Sequence, residues 1–142
     1  MAKKEITTLQ KPEIALNVQA ITTNTTTVGN EIDTASFGSG INFIVFTGAR
    51  TDGTLTPVIT ECATSGGSFT AVADEYLVKQ DPSSATAPEA QAVLSAANSV
   101  AKIGYVGEKR YVKISFASTS ITSGLTAGAL VQKVGDVAPV AV

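Results

Sequence analysis

Short runs of alternating apolar and polar residues, broken about every 8–12 positions by turn residues, predict β-strands through most of the chain. Residues 41–47 carry the strongest pattern. Ile41, Phe43 and Val45 share one face, while Ile44 and Phe46 share the other with Asn42. In a two-sheet sandwich one strand face meets the core and the other meets water. A strand apolar on both faces predicts a covering arm or a partner subunit. Residues 110–116 place Val112, Ile114 and Phe116 on one side, with Tyr111, Lys113 and Ser115 on the other. Residues 124–134 gather Leu125, Ala127, Ala129 and Val131 on one face.

The remaining segments are weaker. Residues 22–28 are polar and β-branched and suit an exposed edge strand; residues 31–36 read as a short strand. Thr51-Asp52-Gly53-Thr54 is a turn. Residues 55–64 form a strand entered through Pro57; Ser65-Gly66-Gly67 closes a hairpin, and residues 68–73 return. Residues 88–94 fit a short helix with Pro88 at its first position and fit a strand equally well. Residues 100–106 are a strand, with Gly107-Glu108-Lys109 as a tight turn and cross-strand pairing about it. Residues 1–20 read as an extended arm, because Lys11-Pro12 breaks any regular element. The sum is an all-β, antiparallel β-sandwich of about eight strands. Residues 1–30 supply the arm and an edge strand, residues 31–134 the sandwich, and residues 135–142 an apolar tail.

Composition narrows the function. The chain has 142 residues, 44% of them hydrophobic and only 15% charged, rich in Thr, Ser, Ala, Gly and Val. A chain of this length buries enough surface to need no disulfide or metal. It carries a net charge of −2 and a pI of about 5.0, which argues against direct nucleic-acid binding. With no histidine, Ser-His-Asp, Cys-His and most zinc chemistry is excluded. The one cysteine, Cys62, cannot form an intrachain disulfide and reads as a small buried hydrophobe. Asp52, Glu61, Asp74, Glu75 and Asp81 show no pairing of the kind a glycosidase needs, and Glu61 is expected to face the surface. With no tryptophan, a carbohydrate-binding module is a weak alternative. Gly38-Ser39-Gly40 does not complete a dinucleotide fingerprint. No catalytic, cofactor or metal residue is expected. No apolar run reaches the roughly 18 residues of a membrane helix.

Two blocks resemble a group of small structural proteins of tailed bacteriophages. The first is Asp52-Gly53-Thr54-Leu55-Thr56-Pro57-Val58-Ile59-Thr60-Glu61, followed after a short turn by Ser68-Phe69-Thr70-Ala71-Val72. The second is Ile103-Gly104-Tyr105-Val106-Gly107-Glu108-Lys109-Arg110-Tyr111-Val112-Lys113-Ile114, and Glu31-Ile32-Asp33 fits as well. The resemblance covers roughly residues 31–134. It implies a head decoration, or capsid cement, protein with a jelly-roll fold on the outer surface of the virion, made in the bacterial cytoplasm. It further implies a homo-oligomer, a trimer before a dimer, that clamps major capsid protein subunits. Another virion part, such as a tail, head–tail adaptor or fibre-associated piece, is the alternative. The arm and the two-sided strand then supply the candidate interface residues: Lys3, Lys4, Lys11, Ile14, Leu16, Ile44, Phe46 and Arg50.

Overall fold

The computed structural model describes residues 10–36 and 40–134. Ten strands and one short helix follow in order: β1 (Gln10–Ile21), β2 (Thr26–Val28), β3 (Ile32–Asp33), β4 (Gly40–Arg50), β5 (Thr54–Cys62), β6 (Thr70–Ala71), β7 (Leu77–Val78), α1 (Pro88–Gln91), β8 (Val100–Tyr105), β9 (Tyr111–Thr119) and β10 (Leu125–Val134). The first sheet has the order β1-β10-β4-β8-β7, the second β2-β9-β5-β6 with β3 also on β9. All pairings are antiparallel.

Five of the pairings are nested. β1 pairs with β10, β2 and β3 with β9, β4 with β8, and β5 with β6. The chain is thus a ribbon folded double and wrapped into a sandwich, with β10–β4 and β9–β5 closing the two sheets. That is a jelly roll.

The alternating residues do what their period predicts. Phe43, Val45, Leu55, Ile59, Ile103, Val112, Ile114, Phe116, Ala127 and Val131 are fully buried between the sheets. Pro57 lies mid-strand, where a missing N–H is costly unless it faces an open side. It does: Leu55 exchanges both backbone bonds with Leu94 (2.9 and 2.8 Å), and Glu89 Oε1 accepts from the Ile59 N–H (2.7 Å). The loop carrying α1 therefore satisfies the flank of β5 that β6 is too short to cover. Residues 88–91 are the helical half of the open choice, and Leu94 makes an isolated bridge.

Several expectations are corrected. Residues 10–21 are not a free arm: β1 pairs with β10 along its length, from Gln10↔Val134 to Ile21↔Leu125. Pro12 fits because β1 is a sheet edge, and irregularities after Ile14 and Leu16 bend the strand. The sandwich therefore begins at residue 10 rather than 31. The Gly107 turn does not join a hairpin, since β8 lies in the first sheet and β9 in the second. The Tyr105 hydroxyl braces this crossing, accepting from the Lys109 N–H (3.2 Å) and donating to Glu61 Oε2 (2.6 Å). Glu61 is accordingly half-buried and tied to an inward tyrosine, while one side stays open to solvent. Residues 31–36 are a two-residue strand followed by a 3-10 turn over Thr34–Ser36.

Candidate interaction surface

The two sheets present chemically different outer faces. On the second sheet the outward positions include Thr54, Thr56, Val58 and Thr60 of β5, and Lys113, Ser115, Ala117 and Thr119 of β9. Lys113 lies over the Phe69 ring at 4.2 Å from its centroid. This is an ordinary solvated β-face of hydroxyls, a lysine and scattered apolar groups.

The outer face of the first sheet is apolar across four strands. Register aligns Ile14, Leu130, Ile44 and Lys102 in one row of β1, β10, β4 and β8. The neighbouring row holds Val18, Gly128, Phe46 and Val100. Ile14 is 48% exposed, Val18 57% and Val100 67%, while Ile44, Phe46 and Leu130 are half-buried by one another. Gly128 makes the face flat. A Cβ there would stand 3.1 Å from Phe46 Cζ and 2.8 Å from Val18 Cγ2, so both side chains lean over the glycine. Contiguous exposed apolar patches of this kind mark interaction sites.

The candidate residues distribute unevenly over this geometry. Ile14, Ile44 and Phe46 sit together on the apolar face. Leu16 does not: it is 1% exposed and belongs to the core, because the irregularity after Ile14 turns it inward. Lys11 is exposed on β1 and pairs with Glu13 at 3.6 Å. Arg50 ends β4, donates from Nε to the Gly53 carbonyl (2.9 Å) and lines a shallow cleft of about 270 Å³ with Ala20, Thr22 and Thr126. Lys3 and Lys4 lie outside the described residues. Val18, Val100 and Leu130 complete the patch and were not anticipated. Leu130 was legible, since a strand that buries Ala129 and Val131 must turn Leu130 out.

Lys102 sits at the β8 end of this face; most other charged groups have structural roles elsewhere. Asp52 accepts from the backbone N–H groups of Thr122, Ser123 and Gly124 (3.0, 3.0 and 2.8 Å), which hold its carboxyl below the usual range. It ties the β4–β5 turn to the β9–β10 turn, where Gly124 has a positive φ of 100°. Asp33 receives two bonds from Arg110 (3.0 and 2.9 Å); these, with the Ala35 N–H, bring its pKa down to about 2. Lys133, 1% exposed, donates to Glu13 Oε1 (3.1 Å) and the Asp33 carbonyl (2.8 Å), linking the two sheets at one end. Burial pushes the Glu89 carboxyl up. Cys62 is buried, as its strand context suggests. Among the described residues no group of three His, Cys, Asp or Glu is placed to hold a metal ion. No described helix is long and apolar enough to cross a membrane.

No family model, no curated protein and no solved structure matches the chain. The functional reading therefore stands on this surface and on the residue blocks quoted above.

Proposed function

We propose that the protein is a structural component of a tailed-phage virion, seated on the outer surface of an icosahedral capsid, where it bridges major capsid subunits and stabilises the shell. The observation that carries the reading is the difference between the two outer faces. A solvated threonine face backs onto an apolar one, as expected of a domain that buries one sheet against other protein in an assembly.

The two blocks that resemble phage decoration proteins fall on β5 and β6 and on the β8–β9 crossing. A jelly roll is compatible with this role without implying it, since function resides in sites and not in folds. Gln10 and Val134 are paired neighbours, so residues 1–9 and 135–142 both join the sandwich at one end. In this reading that end, which carries Lys11, faces the capsid, and the apolar face of the first sheet joins neighbouring copies. Many weak contacts repeated over a lattice give strong retention.

Stoichiometry in purified particles tests the assignment. A cement protein is expected at a copy number comparable with the major capsid protein. A copy number matching a single ring at the portal vertex assigns the chain to the head–tail adaptor instead.

A further inference from the structure

We propose that the cleft at the Arg50 end of the first sheet is a carboxylate-binding site, fitted to an acidic side chain of a partner protein. It lies at the opposite pole from the Gln10–Val134 end, because Arg50, Leu125 and Ile21 are aligned across β4, β10 and β1. With the Gln10–Val134 end on a capsid this pole stays open, and carboxylate binding in solution does not depend on that seating.

Arg50 is half-buried at the end of β4, and its Nε donates to the Gly53 carbonyl at 2.9 Å. Gly53 is itself buried at a positive φ of 98°, where a Cβ would strike Ile121, so that carbonyl is a fixed anchor. With Nε committed, the guanidinium plane is held, and its two terminal nitrogens have no hydrogen-bond partner among the described residues. No described carboxylate forms an ion pair with Arg50. Asp52, the nearest in sequence, has both oxygens engaged by the backbone N–H groups of Thr122, Ser123 and Gly124. Those three amides lower the Asp52 carboxyl more than Arg50 does, so the guanidinium charge is left for the cleft.

The walls suit the same ligand. The cleft is lined by one cation and no acid. Thr22, Thr51, Ser123 and Thr126 line it around Arg50, and their hydroxyls are free of partners among the described residues. A hydroxyl can donate to a carboxylate, and the end of a guanidinium takes both carboxylate oxygens at once. The volume of about 270 Å³ falls just below the range of drug-sized pockets and holds one short acidic side chain. The walls are braced before a ligand arrives: the Thr51 N–H donates to the Gly124 carbonyl at 3.0 Å, and Asp52 spans the same two turns. A site held in this way loses less freedom on binding. One ion pair in so open a cleft is too weak to retain a free small acid, whereas a side chain is held there by the rest of its own chain.

Titration of the isotope-labelled full chain with an end-blocked Gly-Glu-Gly peptide at low salt, followed by NMR, tests this. The expected result is a saturable shift, in the millimolar range, of the Arg50 Nε–H and of the Thr51, Ser123 and Thr126 amides. The Gly-Gln-Gly counterpart should shift none of them. Acetate and inorganic phosphate, the free-acid and tetrahedral alternatives, should each bind more weakly than the acidic peptide. Arg50→Lys keeps the charge but loses the planar fork, and should weaken binding at least about fivefold. Thr22→Glu offers Arg50 a carboxylate from within the chain. Thr22 is exposed, so this variant should keep the wild-type melting temperature and lose peptide binding. No saturable shift, an equal response to Gly-Gln-Gly, acetate or phosphate bound as tightly as the peptide, or unchanged binding in either variant would each overturn the inference. None of these outcomes bears on particle binding, which is measured separately.

Discussion

Phe46 of β4 reaches across to Gly128 of β10, its Cζ 3.1 Å from where a Cβ on that glycine would stand. The contact is possible only because position 128 has no side chain. Val18 closes in from the other side, and the three residues form the flat centre of the apolar face.

Gly128→Ala tests that relationship. The added methyl meets Phe46 and Val18 together, and one of its neighbours is the Val18 backbone Cα at 3.1 Å. A side chain can swing away, whereas a paired strand cannot. The expected cost is about 1–3 kcal/mol, typical of overpacking, read as a lower urea midpoint with an unchanged slope. Unchanged stability would mean that β1 moves freely over β10.

Glu89 should matter as an acceptor more than as a charge. Ile59 is fully buried, and its N–H points to Glu89. Glu89→Ala leaves that donor unpaired, at an expected cost of about 1–3 kcal/mol. Glu89→Gln keeps the acceptor oxygen and relieves the burial of a carboxylate. Chemical denaturation at neutral pH should place it well above the alanine variant. Equal losses in both would show that the charge itself is required.

The Tyr105 hydroxyl should control the crossing from one sheet to the other. Tyr105→Phe removes the acceptor for the Lys109 N–H and the donor to Glu61. An expected loss of about 1 kcal/mol should come with faster hydrogen exchange at the Lys109 amide. Protection unchanged at Lys109 would place the brace elsewhere.

Acid should destabilise the fold through Asp33 and Asp52. The carboxyl of Asp33 falls from an ordinary 3.8 to about 2 on folding, and that of Asp52 is also lowered. Between those values the unfolded chain binds more protons than the folded one, so stability falls as pH falls. The contribution is complete above about pH 4 and is lost as pH drops toward 2. Glu89, shifted upward, works in the opposite direction. Urea midpoints measured across this range should decline for the wild type and decline less steeply for Asp33→Asn. Parallel slopes would remove Asp33 from the account.

Much of the fold was legible in the sequence, because β4, β5, β9 and β10 alternate cleanly. Their inward residues Phe43, Ile59, Ile114 and Val131 are all core. The failures came where a local signal has two physical readings. Lys11-Pro12 looks like a strand breaker, yet a proline at a sheet edge loses no ladder bond. A glycine turn between two strands looks like a hairpin, yet in a jelly roll the same turn passes between sheets. Which one forms depends on distant pairings, β4 with β8 and β5 with β9. The candidate surface was half legible. Ile44 and Phe46 announced an apolar outer face, and Ile14 was already a candidate. Leu130 follows from the alternation of β10, whereas Val18 and Val100 join the face through pairings that no local pattern contains. Leu16 was misplaced because an irregularity in β1 reverses its direction.

The central claim, attachment to a capsid, is tested most directly by adding the purified full-length chain to expanded phage heads that lack their surface protein, then heating them. The account predicts saturable binding and a higher temperature of DNA release. Absence of binding, or binding that leaves the release temperature unchanged, would contradict it.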